Sequence, residues 1–249
     1  MKFIDFHVHI DHYADPVKVA NEYEKLNIYA LFVTNLPELF EKHLSTFNHY
    51  KHVRLALGYH PVLAGEYPFN RQLFDKLVVN TKYIGEVGID LTKANKEYRM
   101  QQMEIFDYVT QPTYNKGRIY SVHSNSAEDE VLEILKKNNV KHAVFHWYNG
   151  KISTLKQIID SGYFFSINYR MLTSQKGQKL ISLMPPDRIL FETDGPFIRY
   201  ERKIIQPQLI SKIYEEFNGS THNFTELVFK NFKRLLLERD LIEKLATLK

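Results

Sequence analysis

The chain has 249 residues, 44% of them hydrophobic and 14% aromatic, enough to bury one substantial core, so a single domain spanning 1–249 is expected. Charged residues make up 25% with a formal net charge of +4, a balance that excludes a disordered or solvating chain and neither demands nor forbids a polyanionic partner. There is no cysteine, which removes disulfides, thiolate metal ligands and a cysteine nucleophile together.

Short runs rich in β-branched and aromatic residues recur along the chain, each followed by a segment with helical spacing of its apolar positions. Eight such runs are predicted as strands, at Lys2 to Phe6, Ile28 to Val33, Val53 to Leu57, Tyr83 to Val87, Arg118 to Val122, His142 to Phe145, Tyr163 to Ile167 and Arg188 to Phe191. Helices are predicted over Glu97 to Val109 and Ala127 to Lys137, the second with Ser124 and Ser126 as capping candidates, and over Thr154 to Ile159 and Gln175 to Leu183. After the eighth strand come Leu209 to Phe217, Thr225 to Leu237 and Leu241 to Leu248.

Strands alternating with helices imply parallel β-α-β units, because a parallel neighbour needs a crossover connection. Eight units fit an α/β fold of one closed (β/α)8 TIM barrel. An open doubly wound sheet is the alternative, and the first strand is followed by no G-x-G-x-x-G loop to favour it. The N-terminus has no apolar leader-like stretch, and nowhere do 18 apolar residues run together, so a cytoplasmic protein without a membrane partner is expected.

Barrel enzymes carry their chemistry at the C-terminal ends of the strands. Here those ends hold His7 and His9 after the first strand, Glu86 at the fourth, His123 after the fifth, His146 after the sixth and Asp194 after the eighth. His-x-His on an extended chain places both imidazoles on one face, where they can share a cation. Glu86, between Gly85 and Val87-Gly88, has space to bridge two cations. Each residue alone also fits a plain structural role, such as a buried hydrogen-bonded histidine or an Asx-turn aspartate.

Asp5-Phe6-His7-Val8-His9, Gly58-Tyr59-His60-Pro61, Gly85-Glu86-Val87-Gly88-Ile89-Asp90, Val122-His123-Ser124, Phe145-His146 and Glu192-Thr193-Asp194-Gly195-Pro196 together resemble the TatD family of metal-dependent hydrolases within the amidohydrolase superfamily. The similarity spans nearly the whole chain in order, down to Asn231 in Lys230-Asn231-Phe232. It implies a binuclear site, with His7, His9 and Asp194 on one metal, His123 and His146 on the other, and Glu86 bridging. His60 is then a residue that hydrogen-bonds substrate or water rather than a ligand, although a turn histidine held by Pro61 fits equally. Two departures bear on substrate preference: His-Ser-Arg of the family reads His123-Ser124-Asn125 here, and His-Cys-Phe-Ser-Gly reads His146-Trp147-Tyr148-Asn149-Gly150.

A nitrogen and oxygen ligand set suits two divalent ions, Mg, Mn or Zn, without choosing among them. Such a pair activates water for hydrolysis without a covalent intermediate, with Asp194 as the proton acceptor and Glu86 and His60 beside it. The later loops carry Arg170, Lys176, Lys179, Arg199, Arg202 and Lys203 among Trp147, Tyr148, Tyr169, Phe197 and Tyr200. Of these, Arg170, Lys176, Arg199, Tyr169 and Trp147 are the candidate contacts to nucleic acid, through phosphates and stacked unpaired bases; a solvated basic rim is the plainer reading. The resemblance implies a DNase acting on single-stranded DNA. Phe165-Ser166-Ile167-Asn168 and Ser174-Gln175-Lys176-Gly177 are similar to TatD-like proteins of anti-phage defence operons, which implies protein partners in a defence complex. The alternatives are a small-molecule hydrolase for lactones, amides or phosphoesters, and a non-catalytic binding subunit.

Overall fold

Eight parallel strands alternate with helices in the computed structural model, which describes the backbone of residues 2–247 and side chains to residue 244. The strands are β1 (Ile4–His9), β2 (Tyr29–Val33), β3 (Val53–Ala56), β4 (Tyr83–Gly88), β5 (Ile119–His123), β6 (Ala143–His146), β7 (Phe164–Ile167) and β8 (Ile189–Phe191). The helices are α1 (Pro16–Lys25), α2 (Pro37–Phe47), α3 (Arg71–Leu77), α4 (Arg99–Val109), α5 (Pro112–Asn115), α6 (Glu128–Lys137), α7 (Ile152–Asp160), α8 (Tyr169–Leu172), α9 (Gln175–Leu183), α10 (Ile210–Ser220) and α11 (Phe224–Thr247). A two-stranded antiparallel ribbon, β9 (Arg199–Tyr200) and β10 (Lys203–Ile204), decorates the loop after β8.

Continuous ladders run from β1 to β3 and from β4 to β8, and two seams close them into a barrel. At one seam Leu57 pairs with Ile84; at the other Val8 pairs with Gly195. The second seam is also tied by Asp194 N donating to His7 O and His9 N donating to Gly195 O, so the ring closes at the height of the candidate ligands. Close approach there requires glycine. A Cβ on Gly58 would stand 1.9 Å from Thr34 O, and one on Gly88, whose φ is +150°, would stand 1.9 Å from His123 O.

Local chemistry explains most helix starts. Asp15 caps α1 by accepting from Lys18 N, with Pro16 at the first helical position, while Val19, Ala20 and Tyr23 face the core. Ser174 caps α9 through Gly177 N, and Asn168 caps α8 through Met171 N.

Sequence expectations and structure differ at several boundaries. The first strand runs to His9 rather than ending at Phe6, because His7 and His9 continue the extended chain; His123 and His146 likewise end their strands. Ser124 and Ser126 do not cap α6: Ala127 occupies the cap without a side-chain bond, and Glu128, Asp129 and Glu130 complement the helix dipole instead. Thr225 to Leu237 and Leu241 onward form one continuous helix, α11, since the intervening Glu238-Arg239-Asp240 holds no breaker and Arg239 is itself buried; Leu248 lies outside the described residues. The expected helix from Glu97 begins instead with a 3-10 turn at Lys96–Tyr98.

Candidate metal centre

Period-two geometry on β1 brings His7 and His9 to one face, with their Nε2 atoms 3.1 Å apart. Both face Asp194 Oδ1, at 3.9 Å from His7 and 3.4 Å from His9. Asp194 sits at φ +48°, a left-handed conformation. Its loop is held from below: Thr193 donates its N–H to Asp5 Oδ1 at 2.8 Å and its hydroxyl to Asp5 Oδ2 at 2.7 Å, and Tyr23 donates to the same Oδ2 at 2.6 Å.

Glu86 ends up between two sets of imidazoles and is 1% exposed. Its Oε2 lies 3.1 Å from His9 Nε2, 3.4 Å from His7 Nε2 and 3.4 Å from His60 Nε2. Its Oε1 lies 2.6 Å from His123 Nδ1 and 2.9 Å from His146 Nε2. One carboxylate therefore turns one oxygen to each half of the cluster. Glu86 Oε2 is buried without a hydrogen-bond partner, an orphan acceptor that a cation would satisfy. With no sulfur among the donors, the cluster fits hard or borderline divalent ions.

Outer partners fix how His7, His123 and His60 are presented, whereas Nδ1 of His9 and of His146 is buried without a hydrogen-bond partner. His7 Nδ1 meets Ser121 Oγ at 2.8 Å, leaving Nε2 for the cluster. His123 Nε2 meets Asp90 Oδ2 at 2.9 Å, leaving Nδ1. His146 turns Nδ1 toward Glu192 Oε1 at 3.6 Å, and Glu192 is itself held by Trp147 N, Asn168 Nδ2 and Ser166 Oγ. His60 Nδ1 accepts from Val62 N, which places its proton on Nε2, aimed at Glu86. His60 is thus both the turn histidine and a donor into the cluster.

The electrostatics follow from crowding. Burial opposes an ionised Glu86, but His60, His146 and His7 outweigh it and hold its carboxyl well below the usual range. Burial, reinforced by His146, lowers His7 to about 4, and burial with few compensating carboxylates lowers His60 to about 3. Against the same burial, Asp194 and Glu86 lift His9 to about 10, while Asp90 and Glu86 raise His123 and Glu86 and Glu192 raise His146. Cation binding at these rings must therefore displace protons.

Sequence reasoning assigned no role to Asp5, Asp90, Ser121 or Glu192. Three of them were within reach: Asp5 precedes His7 and His9 at the same period of two, Glu192 precedes Asp194 likewise, and Asp90 follows Gly88 at the mouth. Ser121 carries no local signal. The basic rim is dispersed: Arg170 is exposed on α8, Arg199 is exposed and donates to Arg202 O, and Lys176 donates to Asn149 O at 2.6 Å. Tyr169 is half-buried edge-on against Tyr200, and Trp147 is half-buried beside His146. Two other aromatics of these loops do not offer their faces. Tyr148 is 1% exposed with its hydroxyl on Lys151 O, and Tyr200 is 7% exposed with its hydroxyl on Glu216; both rings are spent on packing. Phe197 remains exposed, edge-on to His9.

A parallel β/α barrel with a buried histidine and carboxylate cluster at its C-terminal mouth is the arrangement of a metal-dependent hydrolase. The sequence profile of the family described as "TatD related DNase" matches residues 4–237. The chain belongs to that family. It is 27% identical to human deoxyribonuclease TATDN3 over 224 residues, covering 81% of this chain and 80% of that protein. It is 26% identical to the metal-dependent hydrolase MJ1582 of Methanocaldococcus jannaschii over 200 residues, covering 74% and 77%. The solved structure of a TatD family hydrolase from Entamoeba histolytica superposes with a TM-score of 0.75 at 16% identity, covering 94% of this chain and 97% of that one, a likeness of fold. No described helix is long and apolar enough to cross a membrane.

Proposed function

We propose that this chain, acting as a single barrel domain over 1–249, is a deoxyribonuclease that hydrolyses phosphodiester bonds of single-stranded DNA with two divalent cations. The observation that carries the reading is Glu86, whose two oxygens face two separate histidine sets. His7, His9 and Asp194 would hold one cation, His123 and His146 the other, with Glu86 between. When bound, the pair would polarise a phosphoryl oxygen and ease ionisation of the attacking water.

The protein's own groups divide the remaining work. Asp194, whose Oδ1 lies beside His9 as the orphan oxygen of Glu86 also does, takes the proton of the attacking water. His60 donates from Nε2 toward the same point and steadies the phosphoryl oxygen or the water. Glu86, kept ionised by its neighbours, supplies negative charge and needs no proton of its own. Glu192 and Asp90 act as positioning residues through His146 and His123.

A place in anti-phage defence beside partner proteins would extend this reading and rests on the resemblance of Phe165–Asn168 and Ser174–Gly177 alone. In this chain those residues are engaged in the scaffold, with Ser166 and Asn168 bonding Glu192 and Ser174 capping α9.

The deciding experiment is cleavage of end-labelled single-stranded and duplex DNA with Mg, Mn and Zn in turn, comparing wild type with Asp194→Asn. Cleavage that prefers single strands and drops at least ~100-fold in the variant is expected, the scale of losing a positioned proton acceptor. No cleavage with any metal, despite two cations bound per chain, would overturn the reading in favour of small-molecule hydrolysis.

A further inference from the structure

Beside the cluster, between the ends of β5 and β6, lies a recess of about 290 Å3 lined by His123, Ser124, Asn125, His146, Trp147 and Asn149. We propose that it is a pocket for one unpaired nucleobase, belonging to the nucleotide whose phosphate meets the metal-ligand cluster. The proposal rests on the phosphodiesterase reading for its phosphate and on the recess itself for its base.

The chemistry of the walls points to a neutral, flat, edge-polar ligand. Neither Lys nor Arg lines the recess, so it is not built for a phosphate. Its polar walls are two amides, Asn125 and Asn149, both exposed, and the Ser124 hydroxyl. Among the described residues neither amide side chain is engaged: Asn125 uses its backbone carbonyl for Leu91 N, and Asn149 uses its own for Lys176 Nζ. Paired amide donors and acceptors are the groups that read the edge of a base. The remaining wall is an indole, on which any base can stack.

Trp147 is placed there at a cost. Its φ is +39°, a conformation that a bulky residue adopts only when surroundings impose it. The imposition is visible: its N–H is directed to both Glu192 Oε1 at 3.1 Å and Ser166 O at 3.2 Å, while Tyr148 next to it is anchored in the core. Held this way, the indole stays half-exposed at the rim instead of following Tyr148 inward.

Size and position settle which form of nucleic acid fits. The volume lies at the lower end of the roughly 300–1,000 Å3 typical of small-ligand sites, room for one nucleotide. His123 and His146 form its floor and belong to the cluster, so a ligand in the recess is within one nucleotide of the reacting phosphate. A paired base in a duplex offers neither its face nor its pairing edge, so entry selects single strands or frayed ends. Lys176, fixed on the Asn149 carbonyl, has two further N–H groups for the neighbouring phosphate.

Trp147 is the sole tryptophan of the chain, so its emission reports the recess directly. The test titrates the full chain in Mg with dAMP and, separately, with deoxyribose 5-phosphate, following tryptophan emission. A second arm compares cleavage of single strands ending in a normal or an abasic nucleotide, in wild type and Trp147→Ala. Expected are quenching by dAMP, no quenching by the sugar phosphate even at about tenfold higher concentration, and a preference for the normal end that Trp147→Ala removes. Cleavage that ignores the terminal base, with no quenching by dAMP, would overturn the pocket while leaving the nuclease standing. Base-dependent quenching with no cleavage of any DNA would keep the pocket and overturn the nuclease.

Discussion

Replacing Glu192 by Gln isolates one element of the centre, the outer carboxylate behind His146. The exchange keeps the shape of the side chain. Its Oε1 can still accept from Trp147 N, now at 3.1 Å, and from Asn168 Nδ2, now at 2.9 Å, while the new amide nitrogen can donate to Ser166 Oγ. What disappears is a negative charge 3.6 Å from His146 Nδ1. With an effective dielectric of ~20, a full charge pair at that separation is worth roughly 4–5 kcal/mol before desolvation, an upper bound. Outer carboxylates on ligating histidines typically account for about 10–100-fold in metal affinity or rate, inside that bound. Glu192→Gln is therefore expected to weaken the cation shared by His123 and His146 by ~10–100-fold, with the fold intact. Metal titration calorimetry under chelator competition reads the affinity, and circular dichroism checks the fold. Affinity and turnover both within twofold of wild type, in a folded variant, would refute the positioning role.

Two further predictions concern stability. Asn231, 2% exposed, donates to Pro186 O at 2.7 Å and Ile189 O at 2.8 Å, tying α11 to the start of β8. Asn231→Ala leaves the buried Ile189 carbonyl and the part-buried Pro186 carbonyl without this partner and should cost roughly 1–3 kcal/mol in urea unfolding; a loss below ~0.5 kcal/mol would contradict the account. His142, 6% exposed at the foot of β6, is lowered from 6.5 to about 4 by burial and by Arg239, Arg188 and Lys141. The unfolded chain takes a proton there before the folded one does, so this contribution is complete above pH 6.5 and is lost as pH falls toward 4, by about 3 kcal/mol. His142→Asn should flatten that part of the wild-type curve of unfolding free energy against pH, and parallel curves for the two proteins would refute it.

Much of this protein is legible in one dimension. The alternation of β-branched runs with amphipathic segments fixes eight β-α units, because a parallel neighbour is reachable only by a crossover. The histidines and carboxylates that matter stand at strand ends, where a residue's place in the run already determines its height in a barrel. His7 and His9 share a face because an extended chain repeats every second residue, and no distant contact is needed to know it. The same period would have reached Asp5 and Glu192. Local pattern misled at helix boundaries: Ser124 and Ser126 looked like caps, and Thr225 to Leu237 and Leu241 to Leu248 looked like separate helices, yet the acidic first turn of α6 starts it without a side-chain cap and nothing between Leu237 and Leu241 interrupts α11.

Tertiary structure alone decided how the ligands meet. That Glu86 turns one oxygen to His7 and His9 and the other to His123 and His146 depends on four strands far apart in sequence being held at angstrom separations. Ser121 became the partner of His7 only because β5 crosses the barrel opposite β1. Tyr148 and Trp147 are neighbours in sequence, yet one is core and the other lines the recess, a division set by the left-handed turn that Glu192 and Ser166 impose. Sequence specifies which groups reach the mouth, since height along a strand is local; their pairing and orientation are sums over contacts between strands, and only the closed barrel contains them.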